Sequence, residues 1–507
     1  MLIANIRDQT ANMVKRASID REELFRQVKA RLGDRPFIVV SHREPYIHHL
    51  SGREITWNRP VGGLTEALDP LLRAAGGIWV AHGSGSADKK VVDVRDRVAV
   101  PPDSPEYTLR RVWLTPDEIA GFYLGFSNQA LWPLCHIAFT APVFREADWK
   151  TYRKVNRIFA DAVLKESAGR RAVVLVQDYH FAMLPGILRK DAPDMTIGQF
   201  WHIPWPPYEV FRTCPWHEEI IAGMLGNDLL GFHIGDFCRN FVESAGHLPG
   251  AATDRRGVSI ARDGRKTFVQ PFPISVDFAG ISGQSRRPEV RQEMERLSRR
   301  YRLDGKIVGI GLDRIDYTKG IPERLLALDK FLEDNPGYRG KVVFIQAGMP
   351  SRTDIGTYRD LARRVRRLIK DVNEKYTTGD WQPVISLTGQ LSRETLGALR
   401  NLADFCVVSS LHDGMNLVAK EYVAARNDGD GVLVLSRFTG AAEELADAIL
   451  INPFATNDFA ARLKEALTMP ETERRRRMKN MRRVVAGNDI FHWGAGIVSR
   501  LLEMAGA

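Results

Sequence analysis

Short unbroken runs of apolar and β-branched residues alternate along this chain with longer stretches whose apolar positions recur at helical spacing. The runs are 37–40 (FIVV), 172–176 (AVVLV), 196–201 (TIGQFW) and 229–233 (LLGFH) in the first half. The second half carries 307–312 (IVGIGL), 341–346 (KVVFIQ), 384–388 (VISLT), 405–409 (FCVVS) and 431–435 (GVLVL). A strand that is apolar at every position is buried on both faces, as in a parallel sheet covered by helices on either side. The pattern therefore predicts an α/β protein made of two doubly wound units facing a central cleft. The stretch QPFPISVD (270–277), followed by the polar GQSRRPEVRQ (283–292), marks the expected boundary between them. The expected organisation is a helical extension over 1–35, a first unit over 36–276, a second over 277–486 and a closing segment over 487–507.

In doubly wound sheets ligands collect at the carboxyl ends of the strands. Polar residues just beyond the apolar runs are therefore the candidates for chemistry. In the first half they are Arg43, Asp178, His180 and His202; in the second, Asp313, Arg314, Arg352 and Asp413. One such residue is readily explained as a satisfied core group, but six strand ends all carrying them point to a site. The stretch HDGMNLVAKEY (412–422) adds a helix predicted to open near Gly414, presenting free backbone N–H groups to whatever lies before it.

Composition narrows the classes. A length of 507 residues implies two or three domains, and 44% hydrophobic with 26% charged residues describes a soluble globular chain. No window approaches 18 apolar residues and the N-terminal stretch is polar, so neither a membrane span nor a signal peptide is expected, and the expected location is cytoplasmic. Cys135, Cys214, Cys238 and Cys406 form no CxxC pair, which argues against a zinc site or a disulfide framework. The net charge of +10 raises nucleic acid as a partner, but its densest run, ERRRRMKNMRR (473–483), has no interleaved aromatic residues and reads as a solvated helix face. An enzyme acting on anionic substrates carries the same charge balance. Neither a P-loop nor a dinucleotide fingerprint is present, and DGD (428–430) reads as a turn before a strand rather than a metal site. No cofactor, metal, nucleic-acid or membrane partner is expected.

Six motifs carry a resemblance. GLDRIDYTKGIPERL (311–325), DGMNLVAKEYVAA (413–425), LSRFTGAAEEL (435–445), FSNQALWPLCH (126–136), QDYHFAMLP (177–185) and HIPWPPYEVF (202–211) resemble the trehalose-6-phosphate synthases, a family that also contains glucosylglycerol-phosphate synthases. The resemblance implies a GT-B fold, with the acceptor mostly on the first Rossmann-like unit, the sugar nucleotide on the second, and a last helix (487–507) returning to the first. It implies a retaining glucosyltransferase using a nucleoside diphosphate glucose such as UDP-glucose and glucose-6-phosphate, without a metal. Carried over motif by motif, the donor residues are Gly62, Gly63, Arg314, Lys319, Asp413, Gly414, Met415, Asn416, Leu417, Val418 and Glu421. The acceptor residues are Arg43, Tyr123, Trp132, Asp178 and Arg352. Asp178, His202, Arg314, Lys319 and Asp413 surround the reaction centre.

These residue types suit the chemistry. A helix N-terminus and two cations stabilise a departing diphosphate, and guanidinium forks suit a phosphate. No pair of carboxylates in the motifs reads as nucleophile plus acid, so front-face transfer is expected rather than double displacement. The chain also departs from the trehalose pattern. VSHREPYIHH (40–49) replaces the usual Ser-Asn-Arg opening, His82 stands where a second Trp is usual, and His412 replaces an Arg. These changes keep two other readings open: glycerol 3-phosphate as acceptor, and an inactive sugar-phosphate sensor. A homo-oligomer is compatible with all three.

Overall fold

In the computed structural model, residues 21–60, 63–254 and 256–506 are described. The chain divides into two compact units, one running to Ile274 and completed by the segment from Ile490, the other spanning Ser275–Asp489.

Among the described residues the first unit is built on a ten-stranded sheet. Its parallel centre runs, edge to edge, Arg265–Pro271, Leu229–Phe232, Thr196–Phe200, Val173–Gln177, Phe37–Arg43, Ile78–His82 and Tyr107–Val112. Arg97–Val100 adds antiparallel to one edge, and Ala252–Thr253 with Ser259–Arg262 extend the other. Chain order reverses between Phe37–Arg43 and Val173–Gln177, whose residues Phe37–Val40 pair with Val173–Val176. That is the topological switch point, where a crevice opens at the strand ends.

The segment from Ile490 belongs to this unit for a packing reason. Helix Ile490–Ala505 buries Phe491, Trp493, Ile497, Val498, Leu501 and Leu502, packing on strands Val173–Gln177 and Thr196–Phe200 and on helices Arg21–Leu32 and Gly63–Ala75. Gly198 makes the close approach possible, because a Cβ there would lie 2.6 Å from Cδ2 of Leu501. Of the predicted extension, residues 1–20 lie outside the described residues, and Arg21–Leu32 is helical.

The second unit holds a six-stranded, wholly parallel sheet among the described residues, in the order Val384–Thr388, Val342–Met349, Ile307–Arg314, Phe405–Val408, Val432–Ser436, Ile449–Ile451. Numbered along the unit this is 3-2-1-4-5-6, the Rossmann order, with its switch point between Ile307–Arg314 and Phe405–Val408. All nine predicted apolar runs are strands. The pattern missed the hairpin Ile47–Ser51/Glu54–Asn58, together with Ile78–His82 and Tyr107–Val112. Two of the six residues of Tyr107–Val112 are arginines, and its inward Arg111 is polar where a core position normally is not. Among the described residues, no helix is long and apolar enough to cross a membrane.

Candidate active site

At the switch point of the second unit, two loops meet. The turn Tyr317–Lys319 follows strand Ile307–Arg314 and is capped by Asp316, whose carboxylate accepts from the Thr318 N–H at 3.1 Å. Gly320 then takes φ +60°, and a Cβ at that position would fall 2.0 Å from the carbonyl oxygen of Ser409. Only glycine allows this turn to lie against the end of strand Phe405–Val408. The consequence is that Lys319 reaches Asp413 across 94 residues of sequence, Nζ to Oδ2 at 2.5 Å. Asp413 also accepts from Ser410 Oγ and Asn416 Nδ2, each at 3.2 Å.

The helix beyond Asp413 starts later than the sequence suggests. It spans Leu417–Ala425, and its N-cap is Asn416, whose side chain accepts from the Ala419 N–H at 3.2 Å. Asn416 sits at φ +86°, a region asparagine tolerates. Gly414 and Met415 therefore belong to a buried connecting segment, tied down by the Ala441 N–H bonding the Met415 carbonyl at 2.9 Å. Leu417 and Val418 form the first turn, where backbone N–H groups have no helical partner. Glu421 lies one turn in, ion-paired with Arg400 of helix Arg393–Leu402.

Arg314 ends its strand beside Asp316. Asp316 is fully buried, yet the opposing pull of Arg352, Arg314 and Lys319 outweighs burial and holds its carboxyl below the ordinary range. Arg352 is turned inward onto this carboxylate, with Nη1 at 3.3 Å from Asp316 Oδ2 and 2.5 Å from the Tyr358 hydroxyl. In this structure its guanidinium belongs to the second unit's interior. Beneath the loops, buried Arg324 donates to Ser409 Oγ (3.0 Å), Gln346 Oε1 (2.9 Å) and Asp313 Oδ2 (2.7 Å). Burial raises the Asp313 carboxyl against the pull of Arg324, so Asp313 is a structural partner and not a free strand-end ligand.

The first unit's switch point gathers Arg43, Tyr123, Asp178 and His202. Asp178 occupies φ +73°, unusual for a residue with a side chain. Its Oδ1 accepts from the N–H of Tyr179 (2.9 Å) and of His202 (3.1 Å), joining two strand ends. His202 Nε2 lies 2.8 Å from Gln177 Oε1, and burial, then His233, keep its pKa well below 6.5, so the ring is neutral. Tyr123 lies on a π-helical stretch, Ile119–Leu131, and stacks on His42 with ring centroids 4.5 Å apart. His42 also stacks on His180 at 5.2 Å and His82 at 5.8 Å. Burial, His82 and Arg43 depress the His42 pKa to about 3. Both ring nitrogens of His42 are buried without a hydrogen-bond partner among the described residues. Trp132 is buried against His136 and Tyr179, centroids at 4.1 and 5.8 Å. Arg43 is exposed. Gly63 opens helix Gly63–Ala75, and Gly62 lies outside the described residues.

Sequence reasoning overlooked His42, Asp316 and Arg324. His42 stands directly before Arg43 and Asp316 two residues beyond Arg314, so the strand-end rule applied two residues more broadly would have found them. Arg324 carries no such signal, being one basic residue on the helix Ile321–Asp334. The basic helix Glu471–Gly487 pairs Arg474 with Asp430, Arg475 with Glu471, and Arg476 and Arg477 with Glu473. Among the described residues no three His, Cys, Asp or Glu side chains are placed to hold a metal ion, and all four cysteines are free and buried.

Comparison with known proteins is consistent across sequence and structure. The model of glycosyltransferase family 20 matches residues 35–503. The trehalose-6-phosphate synthase of Mycobacterium marinum is 39% identical over 479 residues, 93% of this chain and 94% of that protein. The E. coli trehalose-6-phosphate structure bound with UDP-2-fluoro glucose is similar with a TM-score of 0.83 and 31% identity, covering 92% of this chain and 99% of that one. A UDP-forming α,α-trehalose-phosphate synthase from Burkholderia xenovorans, in complex with glucose-6-phosphate, has a TM-score of 0.81 and 30% identity, covering 92% and 99%.

Proposed function

Because the chain belongs to glycosyltransferase family 20 and is a GT-B glycosyltransferase, we propose that it transfers glucose from UDP-glucose to glucose-6-phosphate with retention, forming α,α-trehalose 6-phosphate. The observation that carries the reading is the convergence of Lys319, Asp413 and the Asn416-capped helix start at one switch point. Relatives bound with UDP-2-fluoro glucose and with glucose-6-phosphate support the two substrates.

In this reading the donor diphosphate lies before Leu417 and Val418, whose N–H groups and helix dipole favour an anion. Arg314 and Lys319 stabilise the charge that builds on the departing diphosphate as the glycosyl–oxygen bond breaks. Asp413 accepts from glucose hydroxyls, Gly414, Met415 and Asn416 shape the segment beside them, and Glu421 accepts from the ribose hydroxyls. Gly62 and Gly63 let backbone approach the donor. Arg43 and Arg352 hold the acceptor phosphate, with Tyr123 and Trp132 beside it, and Asp178 accepts from acceptor hydroxyls. Arg352 would have to leave Asp316 to do so. His202, neutral, lines the reaction centre. The acceptor hydroxyl attacks from the face the diphosphate leaves; the new C–O bond forms as the old one breaks, and the hydroxyl proton passes to the leaving phosphate oxygen.

A second acceptor is favoured by one specific observation. The imidazole of His42 stacks on those of His180 and His82 in the first unit, and His42 and His82 both stand where trehalose-type sequences differ. Glycerol 3-phosphate, the smaller phosphate, is the competing substrate. A donor-by-acceptor matrix of turnover, read as nucleoside diphosphate release, decides. Efficient glucosylation of glycerol 3-phosphate with none of glucose-6-phosphate refutes the proposal, and no turnover with any pair leaves a sugar-phosphate sensor.

A further inference from the structure

A buried charged group in the first unit has no part in the chemistry above. Arg111, on strand Tyr107–Val112, is wholly buried, as are Glu44 and Asp88 to within 1%. Its Nε donates to Glu44 Oε2 and its Nη2 to Asp88 Oδ1, both at 2.8 Å. The guanidinium also donates to the carbonyls of Tyr46 and Asp88 at 3.0 Å, with His48 Nδ1 2.8 Å away. Glu44 Oε1 accepts from the N–H (2.8 Å) and hydroxyl (3.1 Å) of Ser84, and Asp88 accepts from the N–H of His48 (2.8 Å) and Gly85 (2.6 Å). The segments after two neighbouring strands, Phe37–Arg43 and Ile78–His82, are thereby bolted to each other and to a third strand.

Desolvating a guanidinium and its two carboxyl partners costs about what their pairing returns, so such a group adds little stability over an apolar core. What it does impose is one geometry, since every oxygen and nitrogen needs its partner. Between residues 41 and 48, Arg43 is an outward side chain among buried neighbours. Its carbonyl is held on one side by Ser41 Oγ at 2.6 Å, itself bonded by Trp79 Nε1 at 2.8 Å. On the other side the next residue is Glu44.

We propose that Glu44 is a positioning residue for the acceptor: anchored by Arg111 and Ser84, it fixes the backbone that aims Arg43 at the phosphate of the sugar-phosphate acceptor. This rests on the reading of Arg43 as a phosphate ligand.

The test measures Michaelis constants for both substrates in the full-length enzyme, in Arg43→Ala, Glu44→Ala, the double variant and Glu44→Gln. Arg43→Ala is expected to raise the acceptor constant about 100-fold, the scale of a lost charge-assisted pair. Glu44→Ala should raise it about 10-fold and leave the donor constant alone. The double variant should match Arg43→Ala, because residues acting through one contact are not additive. Glu44→Gln, which keeps a carbonyl for Ser84 but turns an amide N–H2 toward Arg111 Nε, should bring the constant partway back, between those of Glu44→Ala and wild type. If Glu44→Ala does not fold, Glu44→Asp replaces it, with the carboxyl withdrawn by one methylene and the same rise expected. A wild-type acceptor constant in the Glu44 variant, alongside a raised one in Arg43→Ala, overturns the proposal and spares the reading of Arg43. So do effects that multiply in the double variant. A wild-type constant in Arg43→Ala overturns both.

Discussion

Replacing Lys319 by alanine is the most direct probe of leaving-group stabilisation, because the surrounding backbone does not depend on that side chain. The turn is held by Asp316 on the Thr318 N–H, by the Leu411 N–H on the Thr318 carbonyl at 2.7 Å, and by Ser409 Oγ on the Lys319 carbonyl at 3.0 Å. Asp413 loses a cation at 2.5 Å but keeps Ser410 and Asn416, each at 3.2 Å. The cost should therefore fall on catalysis. Losing one preorganised donor from a developing oxyanion is worth roughly 2.7–4 kcal/mol. At about 1.36 kcal/mol per decade this is a 10²- to 10³-fold drop in turnover. Coupled release of nucleoside diphosphate, with both substrates saturating, measures it, and a melting curve controls for folding. A turnover number within about tenfold of wild type, in a variant that melts normally, would falsify the assignment of Lys319 to the leaving group.

Arg352→Ala leaves the buried Asp316 carboxylate without the guanidinium it is ion-paired with, so denaturant melts should show a loss of about 3–5 kcal/mol, and the donor Michaelis constant should rise along with the acceptor's. Gly320→Ala forces a side chain into the left-handed region and onto the Ser409 carbonyl; beyond the roughly 1–2 kcal/mol backbone cost, turnover should fall with the displaced Lys319, and an unchanged melting temperature would contradict the geometry. Glu44, raised to about 8 by burial and by Asp88 against the pull of Arg111, keeps a proton in the folded state that the unfolded chain releases near its ordinary 4.5. Stability from this group is thus full below that value and is lost as pH rises toward 8; melts across pH 5–9 should show the decline in wild type and its absence in Glu44→Gln. Turnover should survive EDTA, since two cations and a helix start perform the electrostatic work; activity abolished by chelation and restored by Mg²⁺ would contradict that account.

Local pattern determined the strands and the fold class. A parallel strand covered on both faces must be apolar throughout, so FIVV, AVVLV and IVGIGL are recognisable with no knowledge of their neighbours. The family motifs are equally local, each a few residues around a strand end. Periodicity could not reveal Tyr107–Val112 as a core strand, because the burial of Arg111 depends on Glu44 and Asp88, residues 67 and 23 positions away. From sequence alone the helix is expected to open near Gly414. Tertiary contacts gave the capping to Asn416 instead, since Asp413 is held by Lys319.

The candidate site divides along the same line. That Arg314, Lys319 and Asp413 follow strands is visible in the chain; that Lys319 and Asp413 touch follows from strand order, which places Ile307–Arg314 beside Phe405–Val408. Arg352 looks from sequence like a phosphate ligand, and only packing shows its guanidinium engaged by Asp316. Residue spacing records the period of an element and which of its faces is apolar. It holds no record of which element lies alongside, and that choice is made when helices and strands bury their faces together, bringing charges distant in sequence within hydrogen-bonding range.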